Sequence, residues 1–269
     1  MCFKAMFKML GILLMLFSVS MLPPIGMAIG YRDGDGLSFL EAFLITLTTG
    51  FVLWLIFRRH AQELRIRDGF LLVVLIWLVL ISFATIPVLI GLSPRISFTD
   101  AFFETASGLT TTGASILSHL DQLSHAMLYY RQQLHLFGGI GIIVLAVAVM
   151  PMLGIGGLQL YRAEVTGPMK TSKLTPRITE TAKALWYVYF GLVILCTLSY
   201  WLAGMSLFDA IGESFSTIST GGFSTHDTSF AYYHSATINV IAAIFMILGA
   251  TNFALHFQAI QQRRRIYMP

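Results

Sequence analysis

Two stretches rich in hydroxyl and glycine residues carry the oxygen-donor chemistry of this 269-residue chain. The first, Asp100 to Ser115, reads DAFFETASGLTTTGAS; the second begins 109 positions later, Asp209 to Ser224, and reads DAIGESFSTISTGGFS. Asp100 matches Asp209, Ala101 matches Ala210, and Glu104 matches Glu213. Ser107 and Ser216, Gly113 and Gly222, and Ser115 and Ser224 also match. A dehydrated monovalent cation needs a stack of weak oxygen ligands, which backbone carbonyls supply where the chain runs extended with dihedrals open to glycine. Thr110, Thr111, Thr112 and Gly113 meet that need in the first copy, and Ser219, Thr220, Gly221 and Gly222 in the second. Their hydroxyls add oxygen ligands or brace the loop from behind. A single cluster of this kind is ordinarily a turn between helices; its recurrence in matched context argues for more.

Each oxygen-rich stretch follows a short helical run, about Thr99 to Leu109 in one copy and Phe208 to Ile218 in the other. The partly negative C-terminal end of such a helix would face the cation, so the loop itself needs no charged side chain. Both segments are too short to cross a bilayer and lie between long apolar runs, the pattern of a re-entrant pore loop. Asp100 and Asp209 read as helix caps. Glu104 and Glu213, one turn deeper, either hydrogen-bond to the loop backbone and support it or are simply solvated. Arg131 would pair with a loop carboxylate, repel cations, or snorkel from a helix end, the last being the commoner arrangement.

The elements that position these loops are apolar. At 56 % hydrophobic and 11 % charged residues, with a mean hydropathy of +0.76, the chain belongs in a bilayer. A run from about Met9 to Ile29, interrupted by Pro23 and Pro24, reads as a retained, kinked helix in preference to a signal peptide. With a second run from Ser38 to Phe57 it forms an N-terminal helix pair over residues 1–60. A first helix, pore loop, helix unit follows over 69–158, its outer stretch placed at Leu117 to Arg131 and its returning helix at Leu134 to Gly157. An amphipathic basic connector occupies 159–183, a second unit with the same plan 184–257, and a basic tail 258–269. The expected fold is therefore an all-α membrane protein with six spanning helices and two re-entrant loops.

Charge gives the orientation. The net charge of +4 comes from short basic clusters between apolar runs, a topology signal and not a nucleic-acid surface. With the N-terminus cytoplasmic, 14 of the 17 Lys and Arg residues fall inside, leaving Arg32, Arg95 and Arg131 outside. Most acidic residues then lie at the outer face, where they would raise the local cation concentration. Among the polar residues of the last apolar run, Thr251 and Asn252 face the pore or bond a neighbouring helix. Glycines 138, 139, 141, 154, 156 and 157 suggest close helix packing, since no nucleotide-binding spacing is met. The seven histidines include no metal-binding helix motif, and a Ser107–His135 hydrolase has no nucleophile elbow or third partner, so the chain is not expected to be an enzyme or to hold a transition metal. Cys2 and Cys196 read as unpaired packing residues.

SGLTTTGAS and TISTGGFSTHD in the two loops resemble the TrkH-type potassium transporter subunits of the Trk, Ktr and HKT superfamily. YRDG at Tyr31, FGGIGIIVLAVAVMPMLGIGGLQLYRAE from Phe137 and the segment PRITETAKALW extend the resemblance over nearly the whole chain. It implies potassium ion uptake across the cell inner membrane, with potassium bound at pore-loop carbonyls and no cofactor. Gly113 and Gly222 fit the potassium-selective pattern, in which some relatives carry a first-loop serine and pass sodium. Family members resemble four fused helix, loop, helix repeats, of which this chain carries two, the N-terminal half. A truncated non-conducting fragment, a half-subunit that pairs with a missing C-terminal half, and a pore closed by two copies are the alternatives, with a partial gene product expected. The resemblance further implies a homodimer and a cytoplasmic nucleotide-binding regulatory subunit, with membrane lipid around the helices.

Overall fold

The computed structural model describes residues 3–59, 66–92, 96–153 and 178–251, with 253, 255, 256 and 259 beyond them. The basic connector up to residue 177, Asn252, glycines 154, 156 and 157, and nearly all of the basic tail lie outside the described residues. Helices α1 (Phe3–Ser18) and α2 (Leu22–Tyr31) form the first apolar element, α3 (Gly36–Phe57) returns from it, and α4 (Ile66–Gly91) follows. The short α5 (Phe98–Leu109) leads into the first loop and α6 (His125–Leu153) leaves it. After the connector come α7 (Ile178–Leu202), the short α8 (Leu207–Ile218) and α9 (Ala236–Ala250). No strand occurs among the described residues.

The break in the first element has a local cause. A 3-10 turn at Val19–Met21 ends α1, and Pro23 and Pro24 sit in the first turn of α2, where their missing N–H groups cost nothing. α1 then packs on α3 backbone to backbone: a Cβ on Gly11 would lie 2.8 Å from the Gly50 carbonyl oxygen, so both positions must stay small. The polar turn between α2 and α3 caps α6. Asp33 accepts the Ala126 amide at 3.2 Å, Asp35 accepts the Ser124 hydroxyl, and Tyr31 stacks on His125 at 4.0 Å. The N-terminal pair is thereby fixed to the helix that follows the first loop.

Among the described residues, four helical stretches are long and apolar enough to cross a membrane: Phe3–Tyr31, Gly36–Phe57, Asp68–Gly91 and Lys183–Leu202. Only 22–39 % of their apolar windows is buried, so most of their side chains point outward, an arrangement that lipid solvates and water does not. One expectation needs correction. The returning helix begins at His125 and not near Leu134, so Arg131 is a buried helix residue and no part of a polar outer stretch, and Gln132 and Gln133 are buried beside it. Helix α9 breaks at Thr251, which is extended, and Phe253, Leu255, His256 and Ala259 beyond it are helical again.

α6 is the shared wall. Leu134 packs with α2, α4 and α5 in one core cluster, and Leu136 and Ile140 with α7, α8 and α9 in another. Tyr130 hydrogen-bonds the Ala84 carbonyl of α4 at 2.9 Å from one side. On the other side α8 is held to α7 by Thr197–Ser214 at 2.7 Å and Tyr200–Thr217 at 2.8 Å.

Candidate functional site

The two short helices start and stop alike. Ser97 caps α5 by accepting the Asp100 amide at 3.2 Å while its hydroxyl donates to the Asp100 carboxylate at 2.8 Å. Ser206 caps α8 through Asp209 in the same way, at 3.0 and 2.7 Å. The serine is thus the cap, and its hydroxyl also bonds the carboxylate three residues on, a correction to the reading of Asp100 and Asp209 as caps. At 12 residues each helix is about 18 Å long, roughly half the depth needed to cross the hydrocarbon layer.

At their C-terminal ends both chains turn left-handed on a threonine. Thr111 and Thr220 each have φ +53°, and the amides that follow close back on the helix: Thr112 to the Ser107 carbonyl and Gly221 to the Ser216 carbonyl, both at 2.9 Å. A β-branched residue in that region costs on the order of 1–3 kcal/mol, and strain of this kind clusters where a site needs an unusual backbone. Two residues on, Gly113 (φ +75°) and Gly222 (φ +104°) continue in dihedrals that side chains rarely adopt.

The loops meet. A Cβ on Gly113 would lie 2.0 Å from the Gly221 carbonyl oxygen, so the second loop presents that oxygen to the first at backbone contact. The hydroxyls are engaged locally: Thr110 bonds the Ala106 carbonyl and Thr112, Ser219 bonds the Ser216 carbonyl, and Thr220 bonds the Ser219 carbonyl. Thr110, Thr112, Thr220 and Gly222 remain exposed, Thr111 and Gly113 half-buried, and Ser219 and Gly221 buried. Glycines on the following helices let those helices press against the loops. A Cβ on Gly138 of α6 would stand 2.3 Å from the Leu109 carbonyl oxygen, and one on Gly249 of α9 2.5 Å from that of Ile218.

Behind each loop a glutamate from the short helix reaches the chain that leaves it. Glu104 accepts the Ile116 amide at 3.0 Å and the Ser115 hydroxyl at 2.9 Å. Glu213 accepts the Thr225 amide at 3.0 Å and the Ser224 hydroxyl at 2.5 Å. Both are buried, which excludes simple solvation, and both bond the chain 11 or 12 residues on, past the oxygen-rich stretch.

Arg131, 1 % exposed, does not snorkel. Its Nη2 and Nε donate to Glu104 at 2.7 and 2.9 Å, its Nη1 donates to the Ser224 carbonyl at 3.3 Å, and its guanidinium covers the Phe223 ring at 4.4 Å. One side chain therefore joins the carboxylate behind the first loop to the backbone behind the second. A charge so buried needs its partner, and the pair fixes the geometry of both loops.

Several contacting residues were not singled out from sequence. Ser115 and Ser224 were visible as a recurrence without a role, and Phe223 carried no signal. His135, considered with Ser107, bonds Ser216 at 3.1 Å instead, the matched position of the second loop.

The sequence model of a family described as TrkH, cation transport protein, matches residues 36–267. Trk system potassium uptake protein TrkH of Vibrio parahaemolyticus is 56 % identical over 257 residues, covering 96 % of this chain and 53 % of the relative. Its Escherichia coli K12 namesake is 52 % identical over 261 residues, covering 97 % and 54 %, and the E. coli protein TrkG is 43 % identical over 255 residues, covering 95 % and 53 %. The crystal structure of the potassium transporter TrkH from V. parahaemolyticus superposes with a TM-score of 0.83 at 52 % identity, over 97 % of this chain and 53 % of that one. The chain spans about half the length of the curated relatives it matches. An all-helical chain of apolar outward faces, matched over most of its length by this family, belongs to the TrkH family of cation transport proteins.

Proposed function

We propose that the chain supplies two of the ion-selecting loops of a channel-like potassium uptake system in the bacterial inner membrane. The observation that carries this reading is the meeting of the two loops at Gly113 and Gly221, each directly beyond the C-terminal end of a half-length helix. Backbone oxygens of Thr110, Thr111, Thr112 and Gly113, with those of Ser219, Thr220, Gly221 and Gly222, replace the hydration shell of potassium. The negative ends of the two helix dipoles hold the cation there. Glu104, Arg131 and Glu213 keep the loops in register from behind.

The relatives' name, potassium uptake protein, supports the choice of ion. The basic residue count supports a cytoplasmic N-terminus. By family resemblance the whole transporter closes its filter with four such loops, forms a homodimer and meets a cytoplasmic nucleotide-binding regulatory subunit.

Reconstitution tests this. The chain is placed in liposomes alone and together with a polypeptide supplying the unmatched half of its relatives, the assembled transporter, and rubidium uptake is measured. Uptake that needs both parts and that potassium blocks better than sodium supports the reading. Uptake indifferent to potassium contradicts it.

A further inference from the structure

Two side chains one turn apart on α6 reach the second loop, and the function above uses only Arg131. The other is His135, fully buried. Its ring stacks on Phe223 at 4.3 Å with an interplanar angle of 14°, and a Cβ on Gly221 would lie 2.2 Å from its Nδ1. Nδ1 itself stands 3.1 Å from Ser216 Oγ, and Ser216 Oγ accepts the Gly222 amide at 2.9 Å.

This chain of bonds fixes the serine. The Gly222 N–H can only donate, so Ser216 Oγ accepts from it, and the same oxygen pairs with His135 Nδ1, which holds the serine in the rotamer that receives the amide. In a trans peptide the N–H and the preceding C=O point opposite ways. With the Gly222 N–H held back toward Ser216, the Gly221 carbonyl points forward, and its oxygen is the one that meets Gly113.

We propose that His135 is a positioning residue for ion selection: through Ser216 it holds the Gly221–Gly222 peptide so that the Gly221 carbonyl oxygen faces the ion path. The brace rests on the reading of the loops as a filter. It is particular to the second loop, since the position 109 beyond His135 is Ile244 and the matched Ser107 hydroxyl is buried without a hydrogen-bond partner among the described residues. Without the imidazole the Ser216 hydroxyl turns elsewhere and the peptide rotates more freely. The backbone loses a fixed ligand while the fold keeps its packing.

The test measures amide hydrogen exchange at Gly222 and the potassium-to-sodium preference of rubidium uptake in the assembled transporter. His135→Leu removes the hydrogen-bonding nitrogen, Ser216→Ala removes the hydroxyl while leaving the imidazole in place, and His135→Gln restores a hydrogen-bonding group on a different scaffold. The first two are expected to speed Gly222 exchange about tenfold and to lower the preference by a similar factor, the scale of one lost hydrogen bond, with His135→Gln close to wild type on both. Unchanged exchange in Ser216→Ala overturns the proposal, and that variant decides alone if His135→Leu does not fold. His135→Gln as impaired as His135→Leu also overturns it, because the ring would then be acting by its bulk. A wild-type transporter with no potassium preference refutes the filter reading instead, and the exchange rates still judge the brace.

Discussion

Behind the first loop, Glu104 meets a hydroxyl, a backbone amide and a guanidinium at 2.7 Å; behind the second, Glu213 meets the same hydroxyl and amide but no cation. One oxygen of Glu213 is buried with no hydrogen-bond partner among the described residues, and the position matched to Arg131 is Val240, 59 % exposed. The second loop has the His135–Ser216 contact, for which the first shows no counterpart among the described residues. Yet the loops share a serine cap, a left-handed threonine and a glycine at positive φ, at equal spacing. Local backbone geometry is thus written twice in the chain. The support behind it is written once, on α6, whose Arg131 touches both loops.

The sharpest way to break this comparison is at the loop contact. Gly113→Val must place a side chain both at φ +75° and on the Gly221 oxygen, whereas at Gly222 the nearest atom to an added Cβ is Gly113 Cα at 3.9 Å. Rubidium uptake by the assembled transporter should vanish for Gly113→Val. Gly222→Val meets only backbone strain, on the order of 1–3 kcal/mol, and should keep more of its folded protein, as size-exclusion recovery would register. Equal recovery of the two would remove the asymmetry.

Next come the carboxylates. Glu104→Gln leaves the Arg131 charge buried without its counterion and should destabilise by about 3–5 kcal/mol. Glu213→Gln keeps an acceptor for Ser224 and Thr225 and should cost about 1 kcal/mol or less. Thermal unfolding in detergent compares them, and Glu104→Gln with Arg131→Met should recover part of the loss. A larger effect at Glu213 would reverse the account of which loop depends on charge. The smallest and most even effects belong to the caps: Ser97→Ala and Ser206→Ala should each cost about 1 kcal/mol in the same assay. A marked difference between them would show that the two short helices are not equivalent even locally.

The sequence displayed what is local. Hydroxyl and glycine residues at matched spacing mark the loops, the short helices end at Leu109 and Ile218 as their patterns suggest, and Pro23 and Pro24 announce the break before α2. The caps were passed over although Ser97 and Ser206 stand three residues before their aspartates, because either residue type suits a helix start. The start of α6 was hidden. Arg131 and Gln133 look like part of a water-exposed stretch, and they are buried because their partners, Glu104 on α5 and the Ser20 carbonyl, lie on other elements. Ser216 is 81 residues from His135 and Ser224 is 93 from Arg131, distances over which no pattern in one chain speaks. The break at Thr251 was hidden for the converse reason, as the apolar run continues past it.

The central claim is that backbone oxygens of the two facing loops bind the transported cation. Anomalous diffraction from crystals of the assembled transporter grown in thallium, a potassium substitute, tests it most directly. The expected result is anomalous density between the two loops, beside the oxygens of 110–113 and 219–222. Thallium bound elsewhere, with the space between Gly113 and Gly222 empty, would contradict it.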